Sequence, residues 1–364
     1  MADTVKKEEG KKEEGKKEEG KQEQGIGVDV GTSTIVVARR DAGGGFSIKY
    51  HRNMLFEVEA SGDAESFLKN SSFLYIKEGD RYYIVGDDAL KIVNIMGTGE
   101  IVRPMQNGLL NPDLKKARQL LFYILKACVG KPIAENEALR FSAPANPIDE
   151  PNINNEFHCG VLKGFFDSLG FLSEPINEAL SNLYAAKPVM KVEGEADKQL
   201  TGYSLSLGGG MANSCIAMGG YSLEQFSVTK CGDHIDRQVA RATGVPAGKV
   251  MRIKETQVDL SKINQSDDVQ VAISIYYDEM ITRVVRNIGK RLSAKDRDFP
   301  GAMEVVVCGG TSMIPGFIPR LERILEKTEL PFKVAGVRMS KQPFFSVSQG
   351  ACMVAASDME KRRG

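Results

Sequence analysis

The stretch Gly25-Ile26-Gly27-Val28-Asp29-Val30-Gly31-Thr32-Ser33-Thr34-Ile35-Val36-Val37 sets an acid, a glycine and a run of hydroxyls at the end of an apolar segment. Ile26, Val28 and Val30 predict a buried strand, after which Gly31, Thr32, Ser33 and Thr34 offer hydroxyls and approachable backbone N–H groups suited to phosphate oxygens. A Gly-Thr-Ser turn also closes ordinary hairpins, so this motif alone decides nothing. The same device returns later, with Tyr203 to Leu207 as a strand, Gly208-Gly209-Gly210 as the turn and Asn213 to Met218 as the returning strand. Two such units suggest two related halves facing each other across a cleft.

A triphosphate gripped by opposed turns also needs an acid to orient Mg²⁺ and a group that polarises water beyond the terminal phosphate. Asp29, just before its turn, is suited to a hydrated metal. Glu174, in Ser173-Glu174-Pro175, is read at the entry to the next helix, where it either orients water or is a solvated first-turn acid. Gly309-Gly310-Thr311-Ser312-Met313-Ile314-Pro315-Gly316 follows the apolar strand Val305 to Cys308 directly. Its glycines let the backbone approach a flat base, and the helix beyond presents its N-terminal end.

Strands are also expected at Phe46 to Tyr50, Phe73 to Ile76, Arg81 to Val85 and Leu139 to Ala143. Between and after them come helices near Asn155 to Leu169, Val269 to Leu292 and Pro315 to Lys327, and one started by Asn111-Pro112-Asp113 with an apolar face from Leu114 to Cys128. Strands mixed with crossover helices predict an α/β fold.

At 364 residues and 42% hydrophobic, the chain is long enough for two domains. Lys plus Arg equals Asp plus Glu at 48 each, so no global field draws nucleic acid or an anionic membrane, and neither is expected as a partner. The cysteines lack CxxC spacing, which suits reduced thiols in a cytoplasm. No apolar run approaches the roughly 18 residues of a membrane span, and no direct membrane anchor is expected. Residues 1–25 are expected to be a charged tail, built on a repeated Lys-Lys-Glu-Glu-Gly unit that cannot join a core. His51, His158 and His234 are too scattered for a zinc site.

Several segments, in order along the chain, resemble the superfamily of ATPases that unites actin, the heat-shock chaperones and the sugar kinases. They are Gly27 to Ser33, Arg103-Pro104-Met105-Gln106-Asn107-Gly108-Leu109-Leu110, Ser173-Glu174-Pro175, Cys231 to Asp236, Ile253-Lys254-Glu255, Gly309 to Gly316 and Ser346 to Ala351. Within that superfamily the pattern resembles the bacterial actins of the MreB and MamK type. The resemblance implies an actin-like fold, with domain I (26–184 plus 338–364) and domain II (185–337) flanking a nucleotide cleft. It also implies ATP with Mg²⁺ as cofactors and a homopolymer filament of the cytoplasmic cytoskeleton, organising a cargo such as magnetosomes or joined to an adaptor protein. By the match, Lys254 and Glu255 reach the ribose and base side, Gly309, Gly310, Thr311 and Met313 the adenosine, and Glu174 the hydrolytic water. ATP against GTP stays open, because the base is read by backbone and shape.

The chain departs from the family at the second turn. Ser206 stands two residues before Gly208, where the family carries an aspartate, and Met211, Ala212 and Asn213 replace hydroxyls and a later acid. Ser206 with Gly208, Gly209 and Gly210 still offers a hydroxyl and backbone donors, but metal retention and water activation should weaken. Two functions therefore remain: a filament-forming ATPase with hydrolysis intact or slowed, and a non-polymerising pseudo-ATPase that serves as scaffold or assembly regulator. On this reading Ser206→Asp raises turnover and Glu174→Ala abolishes it. A small-molecule kinase of the same superfamily would need an aspartate base that no segment clearly supplies.

Overall fold

The structure, a computed structural model, describes residues 25–41, 43–96, 101–294 and 299–363. The charged tail expected over 1–25 lies outside the described residues except for Gly25.

Apolar runs that carry no polar alternation make strands buried on both faces, the requirement of parallel sheets covered by helices. Five strands form the first sheet, in the order Leu172–Asn177, Ala138–Ala143, Ile26–Val30, Thr34–Arg40 and Phe46–Arg52. The first three are parallel and each later neighbour is antiparallel. The second sheet repeats this plan strand for strand with Lys333–Met339, Ala302–Cys308, Gly202–Leu207, Met211–Met218 and Tyr221–Thr229. Val189–Lys191 and Lys198–Gln199 extend it. The two strand-turn-strand units thus occupy corresponding places in two related halves of an α/β fold.

The helices correspond as well. Glu156–Ser168 and Phe317–Glu326 are the crossovers between parallel strands, and Glu178–Ala186 and Ser346–Arg363 follow the last strand of each sheet. These closing helices are exchanged. Glu178–Ala186 leaves the first sheet and packs on Gly202–Leu207 and Met211–Met218, whereas Ser346–Arg363 returns to Ile26–Val30 and Ala138–Ala143. They also pack on each other, and at Gly350 a Cβ would collide with the Ser181 carbonyl. Buried Asn182 ties the crossing together, accepting from Ser340 Oγ at 2.5 Å and Ser346 Oγ at 2.6 Å and donating to Ser204 Oγ at 2.9 Å. The expected boundary at 184/185 falls inside this first helix, and that at 337/338 inside Lys333–Met339.

Each half carries an insertion beside the cleft. In the first it is the four-stranded sheet of Leu55–Glu59, Tyr75–Glu78, Arg81–Val85 and Ile101–Val102, with helices Gly62–Asn70 and Asp87–Met96. In the second it is the helix pair Gly232–Thr243 and Ala247–Thr256. One expected element moves: Asn111 Oδ1 accepts the Asp113 N–H at 3.0 Å in a local turn, and the helix runs Ala117–Val129. Asparagine favours such turns for the same reason it caps helices. Among the described residues, no helix is long and apolar enough to cross a membrane.

Candidate functional site

The cleft encloses a cavity of about 430 Å³, within the usual range for small-molecule sites. Its phosphate-type turns are closed by the same bond, Gly31 N–H to the Thr34 carbonyl at 3.1 Å and Gly208 N–H to the Met211 carbonyl at 3.0 Å. They face each other at close range. Gly209 abuts the Ser33 hydroxyl, and Gly210 abuts the Gly108 amide and the Thr32 hydroxyl, so that at Gly210 backbone leaves no room for a Cβ. Gly108 lies in the hairpin joining Met105–Gln106 to Leu109–Leu110 and donates its N–H to Thr32 Oγ1 at 2.9 Å.

Two carboxyls lie at the floor between the turns. Asp29 Oδ1 accepts from Ser142 Oγ at 2.8 Å, and Ser142 Oγ accepts the Val30 N–H at 2.8 Å. Glu178 is the first residue of a helix capped by Asn177, whose Oδ1 accepts the Leu180 N–H at 3.1 Å. Glu178 Oε2 accepts from Ser206 Oγ at 3.0 Å. Enclosure by protein pushes the Asp29 carboxyl above the ordinary range, with the Ser142 bond working against it. Enclosure also raises Glu178, helped by the Asp29 charge and opposed by Ser206 and Asn213.

Among the described residues, no cluster of three or more His, Cys, Asp or Glu could cage a metal, and neither floor carboxyl is ion-paired. Mg²⁺ is commonly held by one or two carboxylates together with water and substrate phosphates, and Asp29 with Glu178 is a donor set of that kind. The residues present fit the ion.

On the nucleoside side, Lys254 is buried, with Nζ 2.8 Å from Asp236 Oδ1 and donating to the Gly232 carbonyl at 3.2 Å. Glu255 reaches Arg52 across the mouth at 3.5 Å, and Arg52 also pairs with Asp87 at 2.9 Å. The third glycine turn is tied to the second by Thr311 Oγ1 donating to the Gly208 carbonyl at 2.8 Å. Tyr277 Oη donates to the Thr311 carbonyl at 3.0 Å. Tyr50 and Phe344, whose rings meet edge-on, line the same cavity.

Asp29, Gly31, Thr32, Ser33, Thr34, Ser206, Gly208, Gly209, Gly210, Lys254, Glu255, Gly309, Gly310, Thr311 and Met313 all line this one cavity. Glu174 does not. It lies within strand Leu172–Asn177 instead of a loop, exposed and paired with Lys163 at 3.2 Å. The position expected of Glu174 is corrected to Glu178, which enters the cavity because the chain turns from strand to helix at Asn177. Asn177-Glu178 is a readable cap followed by a first-turn acid, and that signal marks the missed residue. Asp233, Asp236, Tyr277 and Phe344 also line the cavity without having been singled out for the site.

Residues 25–356 match the family described as Volactin. No curated protein matches the sequence. Among solved structures, the MamK double helical filament is similar with a TM-score of 0.64 at 17% identity, over 91% of this chain and 98% of that one. MreB5 of Spiroplasma citri bound to ADP gives 0.58 at 15% identity, over 93% and 96%. The ethanolamine utilization protein EutJ from Carboxydothermus hydrogenoformans gives 0.51 at 17%, over 90% and 89%. The fold is the actin-like fold of MamK and MreB.

Proposed function

The chain belongs to the Volactin family, and on that footing we propose that it is a nucleotide-binding cytoskeletal protein that assembles with copies of itself into cytoplasmic filaments. The observation that carries this reading is the convergence of two opposed glycine turns, two carboxyls and a third glycine turn on one cavity. The likeness to a MamK filament and to an ADP-bound MreB5 supports it. The two halves are the proposed domains, their limits shifted from 184/185 and 337/338 to the ends of the elements those positions cut, and the exchanged helices act as the hinge between them.

ATP is the proposed ligand, cradled by the backbone N–H groups of Gly31 to Thr34 and Gly208 to Gly210. When bound, Mg²⁺ supplies charge neutralisation of the phosphate oxygens. Asp29 holds the hydrated ion from the floor. Gly309, Gly310, Thr311 and Met313 face the nucleoside, with Lys254 and Glu255 on its ribose and base side. Glu178, in place of Glu174, orients the attacking water. Filaments organise a cargo directly or through an adaptor protein. The alternative, a non-polymerising pseudo-ATPase that serves as scaffold or assembly regulator, is motivated by Ser206, Met211 and Asn213 at the second turn, and the assembly test below separates the two.

Sedimentation and electron microscopy of the full chain with ATP, ADP and no nucleotide test the assembly, with phosphate release measured in parallel. ATP-dependent polymer and phosphate release are expected. Monomers or small oligomers under every nucleotide would remove the filament reading.

A further inference from the structure

We propose that Ser206 is a positioning residue for water activation, acting through Glu178 and not on the nucleotide or its metal. This deepens, and rests on, the nucleotide reading of the cleft.

Ser206 is 2% exposed on strand Gly202–Leu207, with Asn213 opposite it on one neighbour and Cys308 on the other. A serine hydroxyl has one proton to give. Here that proton goes to Glu178 Oε2 at 3.0 Å, so none is left for a phosphate oxygen. Burial keeps the Cys308 thiol well above its ordinary range and therefore neutral, so it brings no competing charge.

The first half has the counterpart arrangement. Asp29 stands two residues before Gly31 and is held at 2.8 Å by Ser142 from the neighbouring parallel strand. Ser206 stands two residues before Gly208, and the acid it holds arrives on the exchanged helix Glu178–Ala186. Each half thus presents one serine-held carboxyl, although the strand position matching Ser142 is Cys308 and the second acid comes from a helix.

Fixing Oε2 restricts the carboxyl torsion, and in this proposal Oε1 is the oxygen that meets a water in the cavity. In the hydrolytic step the water oxygen bonds to the terminal phosphorus, and the bond to the bridging oxygen breaks with its electron pair passing to the diphosphate. The water proton goes to Oε1 and leaves with the product phosphate. Ser206 itself exchanges nothing; it sets the angle at which Oε1 meets the water.

The test measures phosphate release at saturating ATP and Mg²⁺, and nucleotide affinity by isothermal titration, on the full chain. Ser206→Ala should slow turnover about 10- to 100-fold with Kd within about threefold, and Ser206→Thr, which keeps the hydroxyl, should recover most of it. Glu178→Gln should cost about 10²- to 10³-fold, and Ser206→Ala with Glu178→Gln should be no slower than Glu178→Gln alone. Additive losses in the double variant, or a Ser206→Ala variant that loses affinity while keeping its rate, would overturn the proposal. A wild-type chain that binds ATP yet releases no phosphate overturns the positioning role alone, while one that binds no nucleotide removes the cleft reading itself. Thr at 206 and the titrations keep the outcome readable if the alanine variant folds poorly.

Discussion

The two glycine turns share a backbone and differ in what they bring to it. The first turn carries its own acid, Asp29, and hydroxyls at Thr32 and Ser33. The second is bare from Gly208 to Gly210 and borrows its acid, Glu178, from a helix that began in the other half. At Gly210 the bareness has a steric cause, since the Asn107-Gly108 hairpin and the Thr32 hydroxyl fill the space that a side chain would need. The borrowing has a topological one, since exchanged helices bring each half's chain into the other's floor. The second turn therefore lacks an acid of its own at 206, and the carboxyl within its reach is Glu178, held by the Ser206 hydroxyl.

The largest contrast lies in how much volume each turn tolerates. Gly210→Val should abolish nucleotide uptake by isothermal titration, a loss of at least about 100-fold, because its Cβ has backbone and a hydroxyl against it. Ser33→Ala on the opposite turn should cost only a few fold, about one hydrogen bond. A Gly210→Val chain that binds normally would mean the turns do not close on each other.

Next in size is the choice of acid. Glu174→Gln should leave phosphate release unchanged, since Glu174 is a solvated partner of Lys163, whereas Glu178→Gln slows it about 10²- to 10³-fold. Equal rates in the two variants would return the second turn to the status of an acid-free clamp. Asp29→Asn should weaken binding of the Mg²⁺ complex about tenfold and leave affinity in the presence of a chelator nearly unchanged. If chelation still weakens the variant as much as the wild type, the ion is held elsewhere.

A smaller effect concerns pH. Burial raises Asp29 and Glu178, so the folded, nucleotide-free chain binds more protons than the unfolded one above the ordinary carboxylate range. The sign follows: the contribution of these groups to stability is most favourable below that range and declines as pH rises toward and through neutrality. Melting temperatures between about pH 5 and 8 should therefore fall for the nucleotide-free chain, and Glu178→Gln should flatten the slope. A slope the same in both would remove Glu178 from the buried floor. Smallest of all is Arg52→Ala, which cuts the cross-mouth pair with Glu255. A part-exposed pair contributes at most about 1 kcal/mol, so nucleotide release should quicken no more than about fivefold in stopped flow.

Local chemistry explains what the sequence made legible. An apolar strand ending in Gly-Thr-Ser-Thr or Gly-Gly-Gly reads the same in any context, because the strand and the turn are satisfied by neighbours along the chain. Hence both turns and the third turn at Gly309 could be read from the chain, and about half of the residues lining the cavity with them, whereas Glu178, Asp233, Asp236, Tyr277 and Phe344 could not. Asn111 shows where local chemistry is ambiguous, since one side-chain bond serves a turn and a helix cap alike. Glu174 shows where it is silent. Whether Glu174 or Glu178 faces the cleft depends on where strand Leu172–Asn177 yields to helix, and on what that helix then packs against.

By itself, then, the order of residues determined the two repeated units, the glycine turns and the acid at 29, all of them features in which each residue's partner lies within a few positions. The tertiary structure alone decided that Glu178 pairs with Ser206, 28 positions away, and that helices Glu178–Ala186 and Ser346–Arg363 exchange halves around Asn182 and Gly350. Such contacts are set by packing between elements distant in the chain, where burial and steric fit outweigh any local preference.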